Sequence, residues 1–223
     1  MARYTRIQVA TKMAETGMVP VFFHKDVETC KQVVAACYKA GVKVFEFTNR
    51  GDFAHEIYGA LHKYGHSKYP DLIMGAGTII DAPTAALYMQ MGANFIVSPI
   101  LDEETAKICN RRKVLWIPGT GSVTEISRAE ELGADIVKIF PGGAVGGPGF
   151  VKAVKGPMPW SSLMPTNGVE PNEDSIREWF SAGIASVGLG SQIFTKELTT
   201  LGREADLIVK IQQVLKWINQ YKK

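Results

Sequence analysis

The chain has 223 residues, 46% of them hydrophobic and 21% charged, with a formal net charge of +3. That length suits one barrel-sized domain over 1–223, and the balance is the ordinary one of a globular protein with enough apolar material for a sizeable core. Basic residues cluster only at Arg111, Arg112 and Lys113 and at Lys222 and Lys223, too few for a nucleic-acid surface, and no stretch approaches the length of a membrane span. Neither nucleic acid nor membrane is therefore expected as a partner. Cys30, Cys37 and Cys109 show no metal-type spacing and are expected as unpaired thiols in a reducing cytoplasm.

The N-terminal MARYTRIQVATKMAETGM lacks a long apolar core and reads as an amphipathic helix, not an export signal. Beyond it, four segments share one grammar of helix end, glycine and apolar run: YKAGVKVFEF, MQMGANFIVSP, EELGADIVKIFP and FSAGIASVGLG, with Gly41, Gly92, Gly133 and Gly183 at the turns. Glycine past a helix supplies the left-handed cap that turns the chain into the next strand. Before and between these lie the apolar runs MVPVFF, DLIMGAGT, VLWIPGTG and SSLMPTNG, the last three ending in glycine-rich turns. Interleaving the two sets predicts eight strands at about 18–23, 43–48, 72–76, 95–98, 114–118, 136–140, 162–165 and 186–189, each followed by a helix. Alternating βα units with near-continuous apolar strands imply a parallel sheet, and eight units close into a (β/α)8 TIM barrel with an extra N-terminal helix. An open doubly wound sheet is disfavoured, because no GxGxxG follows the first strand. The last helix, about 204–221, carries Ile208, Ile211, Val214, Leu215 and Ile218 as a packing stripe. His24, His55, His62 and His66 form no ligand pattern, and three of them are expected on the surface.

Reactive groups in such barrels sit at the C-terminal strand ends and in the loops that follow. In the sixth strand, Lys138 shares a face with Ile136 and Phe140, and Val137 and Ile139 take the other. A lysine in such a run is either a nucleophile with a lowered pKa or a structural residue that reaches outward to water or a carboxylate. In the second strand, Glu46 alternates with Phe45 and Phe47. If the two phenylalanines pack on outer helices, Glu46 enters the interior and can meet Lys138 as a proton shuttle. A buried structural ion pair is the other outcome. Arg50 follows that strand, where a guanidinium can hold a carboxylate, and Thr78 closes Gly75-Ala76-Gly77-Thr78 with a hydroxyl and bare backbone. The loops Pro165-Thr166-Asn167-Gly168 and Gly188-Leu189-Gly190-Ser191 occupy the seventh and eighth positions, where barrels commonly bind phosphate through backbone N–H groups.

In order along the chain, FEFTNR, GAGT, Ser98-Pro99, Pro118-Gly119, VKIFP and PTNG resemble the motifs of the bacterial class I aldolases for 2-keto-3-deoxy-6-phosphogluconate (KDPG) and 4-hydroxy-2-oxoglutarate (KHG). The resemblance runs from VPVFF to GLGSQIF. It implies that Lys138 forms an imine with the keto acid, that Glu46 moves protons through a water, and that Arg50 and Thr78 hold the pyruvate-like carboxylate. Pro99 and Phe140 would shape the pocket, and Thr166, Asn167, Gly168, Gly190 and Ser191 would receive the distal phosphate or carboxylate. It also implies a cytoplasmic homotrimer that needs no metal and no cofactor beyond the imine on Lys138. Two positions depart from the family's pattern: Asn167 replaces a glycine, and Ile100 stands where glycine is frequent. Asparagine is the non-glycine residue that best tolerates left-handed backbone, so a backbone nest is compatible with it. The reaction expected is cleavage of a 2-keto-3-deoxy-6-phospho sugar acid to pyruvate and glyceraldehyde 3-phosphate, and of 4-hydroxy-2-oxoglutarate to pyruvate and glyoxylate. Alternatives are a phosphogalactonate-specific aldolase of the same family, a non-covalent sugar-phosphate isomerase or synthase that pairs Glu46 or Asp135 with Lys138, and a barrel serving as a binding or scaffold protein.

Overall fold

The computed structural model describes residues 2–222. Among these residues nine short strands are present: β1 Met18–Phe22, β2 Val44–Thr48, β3 Ile73–Gly77, β4 Phe95–Val97, β5 Leu115–Ile117, β6 Gly119–Thr120, β7 Val137–Ile139, β8 Leu163–Pro165 and β9 Val187–Leu189. All pairings between them are parallel, in the order β5-β4-β3-β2-β1-β9 and β6-β7-β8. The two sheets join into one ring. At one seam Thr166 bridges Gly188 in parallel, just beyond β8, and at the other β5 runs through Pro118 into β6. The predicted fifth strand, about 114–118, is thus corrected to two pieces. Proline has no N–H to give the ladder and breaks it there, and β6 carries the pairing on to β7, with Gly119 beside Lys138.

Ten helices among the described residues accompany the strands: α1 Arg6–Thr16, α2 Val27–Lys39, α3 Ala54–Lys68, α4 Ala82–Gln90, α5 Glu103–Arg112, α6 Val123–Glu131, α7 Gly147–Lys155, α8 Glu173–Ser181, α9 Lys196–Thr199 and α10 Glu204–Tyr221. Asp26, Asp81, Asp102, Ser122 and Asn172 cap the helices that follow β1, β3, β4, β6 and β8, each side chain accepting an N–H of the first turn. Gly41, Gly92, Gly133 and Gly183 all have positive φ, as their place after a helix predicts. Among the described residues no helix is long and apolar enough to cross a membrane. Cys30, Cys37 and Cys109 are free and buried. His62 differs from expectation: it is half-buried against Gly92, and burial lowers its pKa.

The core divides by the alternation of the strands. Phe45, Phe47, Ile96, Val137, Ile139 and Leu163 face outward to the helices. Val19, Val44, Ile73, Phe95, Val97, Leu115, Ile117, Ile136 and Met164 form a separate cluster inside the barrel. Val9 and Met13 of α1 join this inner cluster, fully buried, so α1 plugs the N-terminal end. Arg6 locks the plug in place. It holds Asp135 with Nε to Oδ2 at 2.8 Å and Nη2 to Oδ1 at 3.0 Å, and it also donates to Asn110 Oδ1 and to the Gly133 carbonyl.

Met13→Ala leaves a hole in the barrel floor and is expected to cost about 2–5 kcal/mol in denaturant unfolding. Ile7→Ser, on the exposed side of the same helix (72% exposed), is expected to stay within about 0.5 kcal/mol.

Candidate active site

The outward packing of Phe45 and Phe47 places Glu46 inside the barrel, and that of Val137 and Ile139 does the same for Lys138. Glu46 is 1% exposed and Lys138 5%. One step further along the same inward faces come Thr48 and Phe140. Both line a cavity of about 330 Å³ at the C-terminal end, together with Val21, Phe22, Phe23, Arg50, Thr166, Asn167, Gly188, Gly190, Ser191, Gln192 and Phe194. Lys138 and Glu46 therefore lie one layer beneath its floor, and Lys138 Nζ sits 4.7 Å from the centre of the Phe140 ring. A larger hollow of about 630 Å³, lined by Lys12, Gly41, Lys43 and Lys216 among others, lies at the opposite end, where the strands begin.

Room for these side chains is made by glycines whose sequence signal is only their type. A Cβ on Gly77 would stand 1.8 Å from Glu46 Oε1, and one on Gly188 would stand 2.3 Å from Thr166 Oγ1. At Gly119 the obstacle is backbone, with the Pro99 carbonyl oxygen 2.3 Å away. Gly75 leaves space in the same way for the Phe95 ring. The glycines of GAGT are thus the hollow into which the barrel's acid and one of its large apolar side chains fold.

Among the described residues neither Glu46 oxygen has a hydrogen-bond partner, nor do the buried hydroxyls of Thr166 and Ser98. Each such group costs about 1–3 kcal/mol to leave unpaired. Burial raises the Glu46 pKa, with the Lys138 and Arg50 charges working against the rise. Burial lowers the Lys138 pKa, the Glu46 charge opposing and the Arg50 charge adding to the fall. Both shifts favour neutral forms, so each group in its charged form opposes folding near neutral pH: Glu46 as pH rises, Lys138 as pH falls. Arg50 is exposed at the rim, and its Nε lies 3.5 Å from Thr78 Oγ1. Thr78 adopts a left-handed backbone, with φ at 60°.

The seventh and eighth loops are tied to their neighbours. Gly142 and Gly143 donate N–H groups to the carbonyls of Thr166 and Asn167, both at 3.0 Å, and the Gly168 carbonyl accepts from Trp179 Nε1. Asn167 and Gly168 both have positive φ, 70° and 86°. Asparagine therefore holds here the conformation its glycine-like tolerance allows. Ile193 and Phe194 both donate to the Gly190 carbonyl, closing the turn beside Ser191.

Of the residues singled out from the sequence, Arg50, Phe140, Thr166, Asn167, Gly190 and Ser191 meet at the cavity, with Lys138 and Glu46 beneath it. Thr78 reaches the site through Arg50, Pro99 lies against Gly119, and Gly168 packs on Gly143. Ile100 is 48% exposed, outside the cavity lining. Asp135 does not join the site: it is bound by Arg6 at the other end of the barrel. Thr48, on the same strand face as Glu46, is also there, as alternation along the second strand predicts; the aromatic wall of Phe22, Phe23 and Phe194, with Gln192, was not legible from the sequence, since phenylalanine and glutamine carry no positional signal there. Among the described residues no cluster of three or more His, Cys, Asp or Glu is placed to hold a metal ion.

A barrel with a buried lysine and glutamate beneath a rimmed cavity has the make-up of an enzyme, and comparison with known proteins gives its class. The KHG/KDPG aldolase of Escherichia coli K12 is 32% identical over 163 residues, 73% of this chain and 75% of that one. A 2-dehydro-3-deoxy-6-phosphogalactonate aldolase of the same organism is 30% identical over 163 residues, 72% of this chain and 76% of that one. The crystal structure of the 2-keto-3-deoxy-6-phosphogluconate aldolase of Zymomonas mobilis ZM4 with 3-phosphoglycerate superposes with a TM-score of 0.82 at 23% identity, covering 94% of this chain and 95% of that one. The chain is an aldolase, a carbon–carbon lyase. The family model described as KDPG and KHG aldolase matches residues 9–211, and the chain belongs to that family.

Gly77→Ala is expected to abolish aldolase activity by displacing the Glu46 carboxylate, as read by pyruvate release. The double variant Glu46→Gln/Lys138→Met removes both buried charges, and its unfolding free energy near neutral pH is expected to exceed that of the natural protein by about 1–4 kcal/mol.

Proposed function

We propose that this chain is a Schiff-base aldolase that cleaves a 2-keto-3-deoxy-6-phospho sugar acid to pyruvate and glyceraldehyde 3-phosphate, with Lys138 as the nucleophile. The observation that carries this reading is the burial of Lys138 in the middle of β7, one layer below the cavity, with its pKa lowered. A neutral amine is a nucleophile and an ammonium is not.

In this mechanism the Lys138 amine adds to the C2 carbonyl, and loss of water gives the imine. The protonated imine accepts the electron pair of the C3–C4 bond as that bond breaks, the C4 hydroxyl gives up its proton, and the aldehyde leaves. The enamine is reprotonated at C3, and hydrolysis frees pyruvate and Lys138. Glu46 is the carboxylate inside the barrel. With both oxygens free of protein partners it serves these proton steps, directly or through a water. Arg50, with Thr78, holds the keto acid's carboxylate. The distal phosphate is assigned to the seventh and eighth loops. In support, the N–H groups of Asn167, Gly168, Gly190 and Ser191 donate to no backbone carbonyl among the described residues, which leaves them for an anion. 4-Hydroxy-2-oxoglutarate, cleaved to pyruvate and glyoxylate, is a second substrate of the same imine chemistry. The homotrimer implied by the family resemblance is part of the proposal. It is supported by Phe53, Ile80 and Ile100, which stand 67%, 57% and 48% exposed on the loops after β2, β3 and β4.

Borohydride reduction in the presence of pyruvate is expected to leave a stable adduct on the peptide carrying Lys138, and none on Lys138→Met. No adduct at saturating pyruvate would overturn the imine. The rate of trapping is expected to rise with pH along a limb centred below the ordinary lysine range. Glu46→Gln removes the charge that opposes the shift, so it moves the limb to lower pH. Pyruvate release should depend on the terminal phosphate, and equal kcat/KM for the dephosphorylated substrate would contradict the role given to Asn167 and Ser191.

A further inference from the structure

Arg50 is a long exposed side chain whose recorded polar contact is Thr78 Oγ1 at 3.5 Å. That contact is too long to hold a guanidinium in one place. What the structure fixes is the backbone from which it extends, and the residue before it is anchored on two sides. The Asn49 N–H donates to the Gly77 carbonyl at 2.8 Å, extending the β2–β3 ladder one residue beyond the strand. The Asn49 side chain, opposite in direction to the inward Thr48, accepts a hydrogen bond from the Tyr88 hydroxyl at 2.9 Å. The Arg50 N–H then folds back onto the Thr48 carbonyl at 2.9 Å, and Gly51, with φ at 90°, turns the chain against Phe23.

Tyr88 lies on α4, which follows the loop carrying Thr78. Its ring is 1% exposed and packs edge-on against Tyr58 at 5.1 Å. The neighbouring Tyr58 hydroxyl is buried without a partner, so packing alone does not give a phenol in this cluster its acceptor. The Tyr88 hydroxyl has one, and that acceptor belongs to the residue between two cavity-lining positions, Thr48 and Arg50. This bond ties the loop after β2 to the helix after β3, and so links the two segments that present Arg50 and Thr78.

We propose that Tyr88, through Asn49, is a positioning residue that aims Arg50 at the carboxylate of the 2-keto acid. The proposal rests on the reading of Arg50 as the group that holds that carboxylate. A side chain that is merely packed stabilises the fold. One that aims a binding group changes substrate affinity while leaving the chemical step intact.

The test is steady-state cleavage of 2-keto-3-deoxy-6-phosphogluconate by Tyr88→Phe, Asn49→Ala, Arg50→Lys and the double variant Tyr88→Phe/Arg50→Lys, each with its melting temperature. Tyr88→Phe keeps the ring and loses only the hydroxyl. KM is expected to rise on the order of fivefold, the worth of one hydrogen bond, with kcat within about twofold. Asn49→Ala, which removes the acceptor and leaves α4 intact, is expected to give the same rise, so the answer does not depend on one variant folding well. Arg50→Lys is expected to raise KM more, because an ammonium lacks the planar fork. The double variant is expected to be no worse than Arg50→Lys, since a misaimed guanidinium is no longer there to lose. If Arg50→Lys raises KM while Tyr88→Phe and Asn49→Ala leave it unchanged, the positioning role falls and the reading of Arg50 stands. If Arg50→Lys itself leaves KM unchanged, the carboxylate reading falls and takes the positioning role with it. A fall in kcat and melting temperature with KM unchanged assigns Tyr88 to structure alone and overturns the proposal.

Discussion

Two opposite charges held out of water inside one ring of strands are the constraint around which the barrel is organised. Lys138 and Glu46 enter the interior from β7 and β2 because their neighbours Val137, Ile139, Phe45 and Phe47 are taken by the helices outside. Burial presses each toward its neutral form, and their mutual attraction returns only part of that loss. A carboxylate whose two oxygens have no protein partner is no structural ion pair of the kind that stabilises a surface. The fold keeps these groups unsettled, and the remainder of the core holds them there.

That core is asymmetric along the barrel axis. The N-terminal half is filled by Val44, Ile73, Phe95, Leu115, Ile136 and Met164 and sealed by Val9 and Met13 of α1. The C-terminal half is hollowed by Gly77, Gly119 and Gly188 and opens into a cavity with an aromatic wall and a polar rim. An apolar floor keeps water from reaching the amine from below, and glycine hollows give the side chains space without adding apolar bulk. The loops at the rim are fastened both to each other and to the core: Gly142 and Gly143 to Thr166 and Asn167, and Asn49 to the buried Tyr88 of α4. These fastenings use the carbonyls of Thr166 and Asn167 and the side chain of Asn49.

Much of this was legible along the chain. The glycines at 41, 92, 133 and 183 announced four of the strands, and the run MVPVFF with those ending in GAGT, PGTG and PTNG announced the others. Alternation alone separated Glu46 from its two phenylalanines and Lys138 from Val137 and Ile139. Asn167 was readable as a residue able to replace glycine, and it holds a left-handed backbone. The break at Pro118 was visible as a proline, yet whether the ladder resumes at Gly119 depends on β7 lying alongside, which no local signal reports. Asp135, a carboxylate three residues before Lys138 in the chain, was a plausible partner for it until the barrel placed it at the opposite end against Arg6.

The difference has one physical source. Periodicity, capping and turn chemistry act between residues a few positions apart, so the order of strands, the face each residue takes and the lysine among apolar neighbours are properties of the sequence itself. The site is made of distances between strands. Glu46 rests over Gly77, Thr166 over Gly188, and Tyr88 holds Asn49 across a span of thirty-nine positions. Nothing local selects those partners; the closure of the ring and the register of its parallel strands do. The amino-acid sequence therefore settled that Glu46 and Lys138 lie on strand faces opposite to their apolar neighbours Phe45, Phe47, Val137 and Ile139. Only the tertiary structure decided that those faces turn inward, that the two groups are buried in one interior, which glycines make room for them, and which loops stand above it.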